Sequence, residues 1–419
     1  QGRLDAAGDC FDGLSNPNSR NQLLAWLNDN TELSLEKLTK ETVAESLQVA
    51  DGVAADVLRI RKNMAKSSVS KYQAMDRAVC HDGRIRGVLQ FYGANRTGRW
   101  AGRLVQVQNL PHDVPPAIDV VRHLAETGNR KGMELLYGDV SSTLSQLIRT
   151  AFVAPDDAVL CVSDFSAIEA RVLSWLADEQ WRMDVFAKGG DIYCASASNM
   201  FGVPVEKHGI NGHLRQKGKV AELALGYQGG PPALISMGAL KMGLTEDELP
   251  DIVSRWRGAN PRIRDFWYSV GGAATSVMQT AQPVGLPHGI VFARECNLLY
   301  GYDYLTICLP SGRRLFYPQP YIAENQFGRP AIHYRTQVGA KWANASTYGG
   351  KLVENITQAI ARDCLALAIK RLVQHGYKPL MHIHDEVVLE VPTSELHDDE
   401  IDRINAIMCA PIRGRRGYC

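Results

Sequence analysis

Acidic residues at two places in the sequence could bind divalent cations. Asp164 follows the apolar run 159–163, and Asp385 with Glu386 interrupts a second apolar stretch, 379–391. These patterns predict a carboxylate at the end of a buried strand and two more at the tip of a hairpin. Carboxylate oxygens suit Mg²⁺, and two such ions can clamp both oxygens of a phosphoryl displacement. Taken singly, each acid is more often a helix cap or a turn residue.

A third segment combines cations with an aromatic ring at a regular spacing. Every fourth position carries one of the following residues: Arg215, Lys219, Leu223 and Tyr227. A helix would present all of them on one face, where the cations fit a triphosphate and the ring fits a base. The alternative is an amphipathic helix with solvated cations. A P-loop is excluded, because Val220 follows Lys219 where that loop needs Ser or Thr.

The composition indicates a globular chain that works in a reducing compartment. The chain has 419 residues, 45% of them hydrophobic and 22% charged, so two or three lobes are expected. No apolar run approaches the roughly 20 residues that span a bilayer, and the start does not resemble a signal peptide. The nine cysteines include no Cys-x-x-Cys pair, which argues against a zinc site or a disulfide framework. We therefore expect a cytoplasmic protein without membrane contact.

Basic residues are concentrated in one part of the chain. Residues 59–103 contain eleven basic side chains and two acidic ones, a pattern typical of a surface that binds a polyanion. A solvated basic face is the alternative. Interleaved aromatic residues favour nucleic acid as the partner: Tyr72, Phe91, Tyr92 and Trp100.

The hydrophobic pattern predicts a mixture of helices and strands. The first 70 residues should be helical, and residues 80–110 should form hairpins and turns. A strand at 159–163 should lead into a helix through 176. The later elements should be helices over 191–283, strands over 286–318, and a long helix over 352–375 that precedes the acidic hairpin. This mixture predicts an α+β protein rather than a doubly wound sheet.

Six segments, taken in order over roughly residues 15–410, resemble motifs of family A DNA polymerases, the DNA polymerase I family. They are Gly98 and Arg99 with 108–111, motif A at 164–171, motif B at 215–227, Arg313 with Arg314, Gln358 with Asp363, and motif C at 384–386. Gly229 and Gly230 after motif B, together with the segment 350–356, look like phage-encoded members.

The resemblance implies a right-hand polymerase fold, in which an antiparallel sheet forms the palm and helices form the fingers and thumb. The expected lobes are a thumb at 1–80 without a preceding exonuclease domain, palm at 81–180 with motif A, fingers at 181–299 with motif B, and palm at 300–419 with motif C. Residues 413–419 do not look like the usual continuation of the palm. The chain begins at Gln1, which suggests a fragment or a processed piece.

The implied reaction is template-directed addition of dNTPs to a primer 3′ end, with release of pyrophosphate. By the same resemblance, two Mg²⁺ ions, or alternatively Mn²⁺, would be held by Asp164, Asp385 and the carbonyl of Phe165. Glu386 would support them, and Lys219 would protonate the departing pyrophosphate. Primer-template DNA and dNTPs would be the partners of a monomer that replicates phage DNA in the host cytoplasm.

The resemblance also assigns residues to the substrate and to the DNA. The nucleotide set is Phe165, Ser166, Glu169, Tyr193, Arg215, Lys219, Leu223 and Tyr227. The DNA set is Arg99, Gln108, Asn109, Tyr227, Gln358 and His384. Glu169 matches the steric gate that excludes a ribose 2′ hydroxyl.

This chain departs from the family pattern at several positions. Leu223 stands where an aromatic residue is usual, Tyr193 replaces a His, Gln228 replaces a Gly, and Ala167 replaces a Gln. Tyrosine donates a hydrogen bond but carries no positive charge, so triphosphate binding should depend more on Arg215 and Lys219.

Three other functions are compatible with parts of the pattern. A single-subunit RNA polymerase would need room for a 2′ hydroxyl, which Glu169 disfavours. A catalytically impaired nucleic-acid binder would bind duplexes without Mg²⁺-dependent extension. A phosphohydrolase could use the same acids but would leave motif B without a role.

Overall fold

The structure, a computed structural model, describes residues 19–64, 70–111, 113–297 and 301–411. The chain divides into two compact units. The first comprises Gln1–Leu89 and Gly102–Val153, and the second comprises Gln90–Ala101 and Ala154–Cys419. The segment 413–419, predicted to be atypical, lies outside the described residues. The predicted lobe boundaries at 80, 180 and 299 stay predictions.

The described part of the first unit is built from helices. They are α1 (Arg20–Asn30), α2 (Lys40–Val49), α3 (Gly52–Met64), α4 (Ser70–Ala78), α5 (Ile118–Glu126), α6 (Arg130–Tyr137) and α7 (Val140–Leu147). Ser19 caps α1 by accepting a hydrogen bond from the Gln22 amide at 3.5 Å, which satisfies an amide that the helix leaves free. Leu23 and Leu27 of α1 are buried in a small core with residues of α2 and α3.

The second unit contains the remaining helices of the described chain. They are α8 (Ile168–Ala177), α9 (Gln180–Ala187), α10 (Ile192–Phe201), α11 (Leu214–Leu225), α12 (Pro231–Ser236), α13 (Leu249–Ala259), α14 (Pro261–Thr280), α15 (Gly349–Gln374) and α16 (Glu400–Met408). Proline begins α12 and α14, where its missing N–H costs no helical hydrogen bond. None of the helices in the described residues has both the length and the apolar character needed to cross a bilayer.

Most strands belong to three antiparallel sheets of the second unit. The strands are β1 (Leu89–Gln90), β2 (Ala101–Gly102), β3 (Ala158–Asp164), β4 (Val284–Leu286), β5 (Ile290–Asn297), β6 (Tyr302–Cys308), β7 (Arg314–Pro318), β8 (Tyr321–Glu324), β9 (Pro330–Val338), β10 (Lys341–Thr347), β11 (Lys378–Ile383) and β12 (Glu386–Pro392). The sheet orders are β11–β12–β3, β4–β5–β6–β7 and β10–β9–β8. The sequence analysis did not predict the last sheet. The α+β class is confirmed.

Helix α15 forms the centre of the core in the second unit. It packs against α8, α14, α16 and β11, and its residues Ile356, Ile360 and Leu365 are buried in one cluster with Val387 and Leu389 of β12. Burying each such side chain contributes about 1.5–3 kcal/mol. A rigid helix therefore supports the sheet that carries Asp164 and Asp385.

Candidate active site

The fold brings the two predicted metal-binding aspartates to neighbouring strands. Asp164 ends β3, and Asp385 lies in the two-residue turn between β11 and β12. Strand β12 pairs with β3 so that Glu386 lies opposite Asp164. The amide of Phe165 donates to the carbonyl of Asp385 at 3.2 Å. Residues far apart in the sequence thus meet at one end of a three-stranded sheet.

The environment of both aspartates disfavours an uncompensated negative charge. Burial raises the pKa of Asp164, while His384 opposes the shift. Burial also raises the pKa of Asp385; Arg99 opposes that shift, and Glu169 and Asp164 add to it. A nearby cation would favour the charged form of both groups. The site is therefore electrostatically suited to positive ligands.

The carboxylates of Asp164 and Asp385 suit metal ions that bind together with a phosphate-containing substrate. Among the described residues, no group of three or more His, Cys, Asp or Glu side chains is arranged to hold a metal ion. Mg²⁺ is usually bound through one or two carboxylates, and substrate phosphates and waters complete its octahedron. Asp164 and Asp385 supply that number of carboxylates, so the residues fit Mg²⁺ ions bound together with a polyphosphate.

Glu169 lies at the centre of a hydrogen-bond network. Arg99 donates from Nη1 to one oxygen of Glu169 at 2.9 Å and from Nη2 to Asp385 at 3.5 Å. The Tyr227 hydroxyl donates to the other oxygen of Glu169 at 2.8 Å, and the Gln358 amide approaches that oxygen at 3.5 Å. Five residues assigned from the sequence to DNA, nucleotide or metal therefore form one network centred on Glu169.

The two motif B cations lie one turn apart on α11. Arg215 donates from Nε to Asp191 at 2.7 Å, and its guanidinium carbon lies 5.3 Å from the centre of the Tyr193 ring. The hydrogen bond to Asp191 raises the pKa of Arg215. Tyr193, which stands in place of the family's His, therefore lies against Arg215, the residue predicted to bind triphosphate.

The observed helix of motif B is shorter than the sequence predicted. Helix α11 ends at Leu225, so Arg215, Lys219 and Leu223 lie on the helix but Tyr227 lies beyond it. Just after the helix, the carbonyl of Gly226 accepts a hydrogen bond from the indole of Trp267 at 2.8 Å. The side chain of Leu223 is 49% exposed, which leaves it accessible to a substrate.

Three residues without glycine's freedom have positive φ next to site residues. They are Ala167 at 52°, Gln228 at 67° and His384 at 53°. Such a conformation costs on the order of 1–3 kcal/mol, so the surrounding structure must hold it in place. Ala167 precedes α8, and this places Glu169 in its first turn. None of these three positions carries a glycine, so the residue types themselves do not indicate the bends.

Further residues that the sequence analysis did not assign to the site support Arg99. Arg313 donates from Nε to Asp363 at 2.8 Å, and Arg362 donates to the Gly98 carbonyl at 3.0 Å. Gly98 has a φ of 74°, and a Cβ there would lie 2.6 Å from the Arg313 guanidinium. The loop that carries Arg99 is therefore fixed by arginines on both sides.

A buried ion pair that the sequence did not reveal holds α11 in place. Arg182 of α9 donates two hydrogen bonds to Glu222 of α11, and the side chains are 0% and 3% exposed. Ser196 and Trp256 also donate to Glu222, at 2.6 and 3.0 Å. Side chains of α9, α10 and α13 thus all donate hydrogen bonds to α11, the helix that carries Arg215 and Lys219.

Two residues assigned to DNA lie in the first unit. Gln108 and Asn109 belong to a 3₁₀ helix, Val107–Asn109. The Asn109 amide donates to the Gln106 side chain at 3.4 Å. Gln108 packs against Gly102, where a Cβ would lie 2.3 Å from its side-chain oxygen. In the second unit, the backbone carbonyl of Ser166 accepts from Arg171 at 2.8 Å.

Comparisons with known proteins agree with this geometry. The model of the family described as DNA polymerase family A matches residues 6–282. The DNA polymerase of Bacillus phage SP02 is 51% identical over 100% of this chain and 63% of its own length. The thermostable DNA polymerase I of Thermus thermophilus is 26% identical over 94% of this chain and 38% of its own. The chain thus spans less than two thirds of the length of these relatives.

A solved structure shares the fold. The POL domain of Pol1 from M. smegmatis, in complex with DNA primer-template and dNTP, superposes with a TM-score of 0.62 and 18% identity. The match covers 96% of this chain and 59% of that one. At this identity the likeness shows the fold alone.

Proposed function

The chain belongs to DNA polymerase family A, and from this premise we propose that it adds deoxynucleotides to the 3′ end of a primer paired with a DNA template. The convergence of Asp164 and Asp385 on neighbouring strands carries the proposal. The name of the Bacillus phage SP02 relative, DNA polymerase, supports it, as does the primer-template and dNTP in the related solved structure. Phage DNA replication is the corresponding process.

Asp164, Asp385 and the carbonyl of Phe165 would hold two divalent cations, Mg²⁺ or alternatively Mn²⁺. When bound, such ions stabilise the charge on the attacking and leaving oxygens of a phosphoryl transfer. Burial raises the pKa of both aspartates, so bound cations would stabilise their charged forms. Glu386, opposite Asp164, would add to the negative field.

Arg215 and Lys219 would bind the triphosphate, with Tyr193 beside Arg215. Phosphate would compete with Asp191 for the Arg215 guanidinium, because Asp191 is its present partner. Lys219 lies one helical turn further along α11 and would give a proton to the leaving pyrophosphate. Little covalent chemistry falls to the protein, which acts by positioning and charge stabilisation.

Glu169 would exclude ribonucleotides by occupying the space that a 2′ hydroxyl needs. Its two oxygens are held by Arg99 and Tyr227, so the carboxylate cannot rotate away without breaking hydrogen bonds. Arg99, Gln358 and His384 would contact the DNA minor groove, which presents similar acceptors for every correct pair. Gln108 and Asn109 are further proposed DNA contacts.

Primer extension by the purified chain, with dNTPs or NTPs and with or without Mg²⁺, tests the proposal. We expect Mg²⁺-dependent incorporation of dNTPs, and a loss of at least about 10³-fold in Asp385→Asn, since a metal site contributes several kcal/mol. Duplex binding by that variant should be nearly unchanged. Asp251→Asn, which alters an exposed acid on α13, is the control. Normal extension by Asp385→Asn would contradict the metal assignment.

A further inference from the structure

A row of exposed aromatic rings crosses two sheets of the second unit. Tyr302 and Tyr304 of β6 have ring centres 5.4 Å apart, and Tyr304 lies 5.7 Å from Phe316 of β7. Trp342 of β10 is 59% exposed, and Tyr302 and Phe316 are 40% and 47% exposed. We call Tyr302, Tyr304, Phe316 and Trp342 the aromatic row. Exposed apolar side chains that lie together on a protein surface are typical of a site that binds a partner.

A cavity of about 400 Å³ joins the two halves of the aromatic row. Tyr302 and Tyr304 line it from one sheet, and Arg335 and Trp342 line it from the other. Trp342 pairs with Gln337 across the strands, and Gln337 lies two residues after Arg335. Alternate residues of a strand share a face, so Trp342 and Arg335 project from the same side of their sheet.

The uncompensated charge beside the aromatic row is positive. The Nε atom of Arg335 is buried without a hydrogen-bond partner, and the ion pairs of the described chain do not include this residue. The nearby acids are neutralised, because Asp303 pairs with Arg294 at 2.6 Å and Glu295 with Arg314 at 2.7 Å. An anion beside a flat ring would pair with the charge of the Arg335 guanidinium.

Strand β7 connects the aromatic row along the chain to residues near the candidate active site. Arg313, which supports the loop of Arg99, directly precedes β7, the strand of Phe316. Tyr317 of the same strand is buried and accepts a hydrogen bond from Asn355 of α15 at 2.9 Å. Helix α15 also carries Gln358 of the Glu169 network. Because Phe316 and Tyr317 are consecutive on β7, their side chains point to opposite faces of the sheet, so the aromatic row lies on the face turned away from α15.

We propose that the aromatic row and Arg335 bind single-stranded DNA, namely the unpaired template strand. This inference rests on the proposed polymerase function. Bases stack on aromatic rings with little dependence on sequence, and arginine beside such rings contacts the backbone phosphates. The positive charge of Arg335 favours a nucleic-acid strand over a protein partner, and the proposed function supplies that strand as the template.

Equilibrium binding to three DNA probes tests the proposal on the whole chain. The probes are a labelled oligothymidylate, a primer-template with a long unpaired template overhang, and one with a short overhang. Trp342→Ala should weaken oligothymidylate binding about 5- to 100-fold, the usual effect of losing one stacking ring, and Trp342→Phe should restore most of it. Arg335→Gln should reduce the salt slope by about 0.7, because one phosphate contact to a single strand is lost.

Matched controls separate this surface from the candidate active site. Phe327, in the turn between β8 and β9 of the same sheet, is 74% exposed, and Phe327→Ala should bind all three probes normally. Unchanged oligothymidylate binding by Trp342→Ala, or equal losses on long and short overhangs, would overturn the inference. An unaltered chain that extends primers but does not bind oligothymidylate would also overturn it, yet would leave the proposed function intact. Failure of extension by the unaltered chain would count against the proposed function instead.

Discussion

The buried ion pair between Arg182 and Glu222 offers the sharpest test of the energetics. Both side chains are almost completely inaccessible. Arg182 also donates to Ser174 at 2.8 Å and to Asn260 at 3.0 Å, so every part of its guanidinium has a protein partner. Glu222→Gln removes the negative charge and retains the shape, whereas Arg182→Met removes the positive charge and fills most of the volume.

The magnitude follows from the cost of leaving one buried charge alone. Removing one partner of a buried pair lowers the free energy of unfolding by about 3–5 kcal/mol. At roughly 2–4 °C per kcal/mol for a large domain, each single variant should melt about 6–20 °C lower. The double variant Arg182→Met with Glu222→Gln contains neither charge, and the new amide still accepts from Ser196 and Trp256. Its loss should be about 2–5 kcal/mol, well below the sum of the two single losses, because the Asn260 oxygen and the new amide nitrogen lose the guanidinium as a partner but no charge is left buried alone.

Urea unfolding followed by tryptophan fluorescence measures these differences, because the indole of Trp256 donates to Glu222. Asp251→Asn is the control: it breaks an exposed pair with Arg255, whose side chains are 60% and 54% exposed, and should change stability by less than about 0.5 kcal/mol. If the two single losses simply add in the double variant, the charges do not stabilise each other in the interior. That result would refute the reasoning.

Two further predictions concern the candidate active site. Glu169→Ala should raise ribonucleotide incorporation relative to deoxynucleotides about 10- to 100-fold in single-turnover assays, and an unchanged ratio would exclude the steric gate. Tyr227→Phe removes one of the two hydrogen bonds that hold Glu169 and should raise the ratio by a smaller factor. When the pH is lowered, protonation of Asp164 and Asp385 should weaken Mg²⁺ binding and extension. This loss should begin at a higher pH than for ordinary aspartates, because burial raises the pKa of both groups. Because the pKa of each aspartate is higher in the folded state than in the unfolded state, the folded state binds these protons more tightly. Without Mg²⁺, protonated Asp164 and Asp385 therefore stabilise the fold at low pH, and this contribution is lost as the pH rises through the folded-state pKa. Melting curves across pH should therefore show a weaker loss of stability with rising pH in Asp385→Asn.

The elements that carry the acids were predictable because their signals are local. Strand β3 ends at Asp164 and the hairpin of β11 and β12 surrounds Asp385, as the apolar runs and the short polar interruption indicated. Helix α15 begins at Gly349 and ends at Gln374, close to the predicted 352–375. In each case, burial on a rigid element imposes a period that the sequence displays.

The sheet of β8, β9 and β10 was not predictable in the same way. Its inner face buries Ile332 and Tyr334, whereas its outer positions carry polar residues such as Gln337 and Asn344. The strands depend on cross-strand pairing and on packing against the rest of the unit, which a single segment does not display. The network around Glu169 was hidden for a related reason, because its partners come from distant segments and meet only in the folded chain.

The Glu169 network also explains why the site cannot be divided into independent residue contributions. Arg99 bridges Glu169 and Asp385, so the predicted sugar gate, a predicted DNA contact and a predicted metal ligand share one guanidinium. A sugar packed against Glu169 acts on the group that orients Arg99, and a cation on Asp385 competes with the same arginine. Hydrogen bonds in such a network polarise one another, and substitutions within it are not additive. With the proposed roles of these residues, nucleotide selection, primer position and cation binding would therefore be coupled through Arg99.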